Sequence, residues 1–147
     1  LSFAPIVGLT GSIEAVEFIQ PLYRLLLIPA VALLPAPNWA KMAGWLWILF
    51  DSALNIEAIN GMEEALVFQL RMGIHLAFAV WAFAVSWRTT GALRWMAFAV
   101  AAVTGGYSFV APWVPEWILP ITALLLLLYI LLAGRYLLGQ ANVAKST

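Results

Sequence analysis

The stretch MAGWLWILFDSALNIEAINGMEEALVFQLRMGIHLAFAVWAFAVSW, residues 42–87, holds two long apolar runs parted only by Asn60-Gly61 and the acidic residues after it. A membrane span needs about 20 mostly apolar residues at the 1.5 Å rise of a helix. Residues 42–60 and 64–87 both reach that length, and so short a break makes them an antiparallel hairpin.

The same reading extends outward in both directions. It predicts a span over 18–34 upstream and spans over 92–111 and 117–138 downstream. The breaks are Pro35-Ala36-Pro37-Asn38, Arg88-Thr89-Thr90-Gly91 and Pro112-Trp113-Val114-Pro115. Asn38 is placed to cap the second helix and Pro115 to start the fifth. Residues 1–13, with Gly8 and Gly11, are apolar but too short to span, and read as an interfacial segment or a cover over the bundle. The chain opens on Leu1, as a processed, trimmed or partial chain would. The expectation is one all-α domain over 1–147, a polytopic integral membrane bundle of five helices.

Composition supports this reading. The chain is 65% apolar and 10% charged, where a soluble domain is roughly half apolar and a quarter charged. A mean hydropathy of +0.97 with no polar half excludes a soluble domain on a single anchor. The net charge of zero offers no basic surface for nucleic acid. Without cysteine there are no disulfides, thiolate nucleophiles or iron–sulfur clusters. No cofactor is expected, although the single histidine, His75, leaves room for one axial ligand to a haem or pigment. Both lysines, Lys41 and Lys145, stand at segment ends, which excludes a mid-membrane Schiff base.

Charge orients the bundle, because cytoplasmic ends collect Lys and Arg. Lys41, Arg88, Arg94, Arg135 and Lys145 fall on one side, while Glu14, Glu17, Glu57, Glu63, Glu64 and Glu116 fall on the other, with Arg24 the one base near that acidic edge. The N-terminus is therefore expected outside and the C-terminus in the cytoplasm, in a plasma or inner membrane. Trp39, Trp87 and Trp95 mark the inner boundary, and Trp113 and Trp117 the outer.

Four polar residues interrupt the hairpin: Asp51 and Asn55, then Arg71 and His75. Each pair is spaced by four, which puts both members on one helix face. Asp51 and His75 each lie twelve residues from position 63 in the turn, and Asn55 and Arg71 each lie eight. Asp51 should therefore stand level with His75, Asn55 level with Arg71, and Asp51 within reach of Arg71 on the diagonal. The bland reading is a buried pair that locks two helices in register. An ionisable cluster inside a membrane is equally a candidate site for a proton or ligand.

Trp47, Phe68 and Phe78 share faces with these residues and form a candidate cavity wall, with Ala79, Ala82 and Ser86 below. Glu57, Glu63 and Glu64 line the outer end as a solvated turn, or as a funnel for cations. In the fourth helix Ala97, Ala101 and Gly105 recur every four residues, a small-residue face for close packing within the bundle or between protomers, with Thr104 and Ser108 able to add hydrogen bonds. The leucine run 124–128 followed by Tyr129 reads as lipid-facing.

Serine-hydrolase, zinc-protease, phosphate-loop and dithiol motifs are absent. Five spans and eight tryptophans resemble the translocator-protein family in outline, but that family's proline- and tryptophan-rich loop and polar signatures find no match here, and no site residue is carried over. Three functions are compatible with the residues. The first is a binding or transport protein working through the cluster. The second is an accessory subunit or assembly factor docking by its fourth helix, and the third is an intramembrane enzyme on a lipid or isoprenoid with Asp51 and His75 as acid and base. Membrane lipid is the expected partner, with assembly as a homo-oligomer or within a larger membrane complex.

Overall fold

The computed structural model describes residues 24–114 and 119–146, with side chains over 24–114 and 124–142. These residues form helices joined by short turns, with no strand among them. The elements are α1 (Ile28–Leu33), α2 (Asn38–Ile59), α3 (Glu64–Arg88), α4 (Gly91–Val110), a 3₁₀ turn (Ala111–Trp113) and α5 (Leu119–Ser146). The expectations for residues 1–13, Glu14, Glu17, Pro115, Glu116 and Trp117, and for the side chain of Lys145, lie outside the described residues.

Among the described residues three segments, Glu64–Arg88, Gly91–Trp113 and Leu124–Asn142, are long and apolar enough to cross a membrane, and Asn38–Ile59, which holds nearly all of the expected second span, is not one of them. Of the expected first span the described part, from Arg24, is not one continuous helix: residues 24–25 are helical, 26–27 form a turn, and the six-residue α1 follows. The last helix runs on to Ser146, past the expected end at 138. Chain breaks fall where Pro and Gly require them. Pro37, with an extended backbone, caps α2 and accepts the Ala40 and Lys41 amides, so Asn38 is already inside the helix and is not its cap. Gly61, at φ +91°, turns α2 into α3 while the Met62 amide reaches back to the Glu57 carbonyl, the bond that closes a Schellman-type end. Lys41 Nζ donates to the Ala32 carbonyl at 2.6 Å and ties the end of α1 to the start of α2.

Helix α3 is the centre of the bundle. It packs along both α2 and α4, while α5 lies against α4 and also meets α1. Trp81 is fully buried in a core with Val31, Trp47, Phe78, Ala97 and Val100. The small face of α4 is consumed here. Ala97 and Ala101 are buried, and a Cβ on Gly105 would come within 3.3 Å of the Ala79 Cβ. Ser108 Oγ donates to the Thr104 carbonyl of its own helix rather than across the contact. Tyr129 corrects another expectation: it is buried with its ring edge-on to Trp81 at 5.9 Å, while Leu124, Leu127, Leu128 and Leu131 are exposed. Helical periodicity gives even a leucine run one inward stripe, and Tyr129 lies on it.

Candidate functional site

Asp51 sits on the inward face of α2, wholly buried, and each of its carboxylate oxygens meets a different helical segment. Arg71 of α3 donates from Nε to Oδ1 at 3.2 Å, and its Nη2 donates to Asn55 Oδ1 one turn along α2. One planar guanidinium thus spans the two α2 residues that the four-residue spacing places side by side. Oδ2 faces Arg24, whose Nη2 stands 2.5 Å away. Arg24 Nη1 also donates to the Asp51 main-chain carbonyl at 3.3 Å.

Arg24 was expected near the acidic edge of the bundle, and that placement is corrected. It is buried, with 5% of its surface exposed, and reaches the same carboxylate as Arg71. The sequence held a signal for it. The midpoint of positions 24 and 51 falls between Pro37 and Asn38, inside the first turn, so the levelling argument used for the second hairpin puts Arg24 opposite Asp51.

His75 Nε2 stands 3.9 Å from Asp51 Oδ2. That is about 1 Å beyond hydrogen-bond length, so a small ring displacement closes the contact. Among the described residues, buried atoms with no hydrogen-bond partner include His75 Nδ1, Asn55 Nδ2 and Trp47 Nε1 at this centre, and Trp81 Nε1 and Tyr129 Oη in the core. The centre therefore combines a carboxylate engaged by two guanidinium groups with a rim of polar nitrogens still able to donate or accept.

The aromatic wall is partly as expected. The Trp47 and Phe78 rings lie 4.3 Å apart and both are buried. Phe68 is only half-buried, one turn before Arg71. The Phe78 ring continues to Trp81 at 5.6 Å, extending the row toward Tyr129. Glu57, Glu63 and Glu64 are exposed at the α2–α3 end. Among the described residues no group of three or more His, Cys, Asp or Glu is placed to hold a metal ion.

Comparison with protein-family models, curated proteins and solved structures gives no match to this chain. The functional reading rests on the geometry of the centre.

Proposed function

We propose that the protein is a small multi-pass membrane protein of the plasma or inner membrane that binds or transports through the Asp51 centre. The proton is the species this centre is best suited to handle, and a small polar or amphipathic solute is the wider class. Membrane placement is supported by the three long apolar helices and by the exposed leucines of α5. Exposed acids at the α2–α3 end and exposed bases at the α3–α4 end support an N-terminus outside and a C-terminus inside.

One observation carries the reading: a fully buried carboxylate is held by two arginines while neighbouring His75, Asn55 and Trp47 keep unpartnered polar nitrogens. A pure clamp gains most when every buried polar group is satisfied, because each unsatisfied group costs about 1–3 kcal/mol. Asp51 accepts a proton when one arginine withdraws, and His75 is the next titratable group beside Oδ2.

The accessory-subunit reading has an observation of its own, since Asp51 joins the Arg24 segment, α2 and α3 as a structural clasp would. Less supports docking by α4, because Ala97 and Ala101 are buried and Gly105 packs against Ala79, while Ala102 and Gly106 stay exposed. The proton reading is tested in vesicles carrying the protein and an entrapped pH dye. An imposed pH gradient should collapse faster than in empty vesicles, and Asp51→Asn should return the rate to that of empty vesicles. No acceleration by the unaltered chain contradicts the reading.

A further inference from the structure

We infer that the basic end of the bundle is a binding surface for anionic phospholipid headgroups, an inference that rests on the membrane placement proposed above. The helix directions bring its parts to one level. Trp39 and Trp87 each stand twenty-four residues from position 63 at the α2–α3 turn, and Arg88 follows Trp87. Arg94 and Arg135 are equally distant from the middle of the α4–α5 connection.

These side chains are presented outward. Trp39, Trp87 and Trp95 are 62%, 71% and 69% exposed, far more than a tryptophan whose place is the core. Arg88, Arg94 and Arg135 are exposed as well. The Arg94 guanidinium lies 5.9 Å from the centre of the Trp95 ring, a cation–π pair that holds charge and indole together. The acids among the described residues lie elsewhere: Asp51 is buried mid-bundle, and Glu57, Glu63 and Glu64 sit at the opposite end.

This arrangement matches one chemistry. A guanidinium donates two parallel N–H groups to a phosphodiester, and an indole settles at the glycerol level with its N–H toward water. The net charge of a phosphatidylglycerol headgroup adds attraction, whereas the choline of phosphatidylcholine brings a cation back against Arg88 and Arg94. The acidic end, with exposed Trp113 but exposed glutamates, provides an internal contrast.

The test is tryptophan quenching of the full chain reconstituted in vesicles with brominated phosphatidylglycerol or brominated phosphatidylcholine. The anionic lipid should compete for the protein surface about threefold better at low salt, and less so as salt rises. The double variant Arg88→Gln/Arg94→Gln should lose the preference, whereas Glu63→Gln/Glu64→Gln should keep it. Equal quenching by both lipids in the unaltered chain overturns the inference, as does a preference that survives Arg88→Gln/Arg94→Gln. Loss of the preference on adding millimolar glycerol phosphate overturns it in favour of a free-phosphate site. Absence of quenching by either lipid would instead remove the membrane placement itself.

Discussion

Arg24 and Arg71 divide one carboxylate between them, and the consequence is mutual dependence of buried charges. Removing one partner of such a pair leaves charge in a low dielectric and typically costs about 3–5 kcal/mol, against about 0–1 kcal/mol for a pair at the surface. Arg24→Gln should therefore destabilise the protein to the same degree as Arg71→Gln, read as the shift of the denaturant or detergent unfolding midpoint. A negligible effect of Arg24→Gln would return this residue to the edge of the bundle. Combining Asp51→Ala with Arg71→Ala should cost less than the two single losses together. The Asp51–Arg71–Asn55 arrangement was legible because all three lie on a hairpin whose turn is marked by Asn60-Gly61. Arg24 was less legible, because it stands near the acidic edge in the charge pattern while its partner Asp51 lies across the first turn.

At the scale of elements, close approach of helices depends on a few small residues. Gly44 on α2 is one: an added Cβ would come to 2.9 Å from Val31 Cγ1 and 3.0 Å from Trp81 Cγ, where α1, α2 and α3 meet. Gly73 on α3 has nothing within 4 Å of that position. Gly44→Ala should therefore destabilise by about 1–3 kcal/mol through overpacking. Gly73→Ala should leave stability unchanged or raise it by up to about 1 kcal/mol, since alanine restricts the unfolded chain. Equal melting shifts for the two would contradict the three-way contact. Helix bounds were readable from punctuation to within a few residues for α2, α3 and α4. The inward faces were less readable. A repeat of Ala97, Ala101 and Gly105 states that something approaches closely but not whether it is α3 or another protomer, and Tyr129 lies in a run whose hydropathy is the same on all sides.

For the whole molecule, the segregation of charge and the position of the centre combine in one account: among the described residues Glu57, Glu63 and Glu64 stand at one end, Arg88, Arg94 and Arg135 with Trp39, Trp87 and Trp95 at the other, and Asp51 is buried between. The absence of cysteine makes the orientation simple to read. A cysteine at Gly61 should react with an impermeant thiol reagent on intact cells, and one at Thr90 should be protected until the membrane is opened. The reverse pattern would invert the bundle. The central claim is that the Asp51 centre works and does more than hold helices together, and His75→Gln separates the two roles. This change leaves Arg24 and Arg71 on the carboxylate while removing the titratable ring 3.9 Å from Oδ2. Proton flux into vesicles carrying His75→Gln, measured beside its melting temperature, is therefore the most direct test. The account predicts a melting temperature near that of the unaltered chain with flux reduced at least about tenfold; flux equal to that of the unaltered chain would contradict it and leave Asp51 as a clasp.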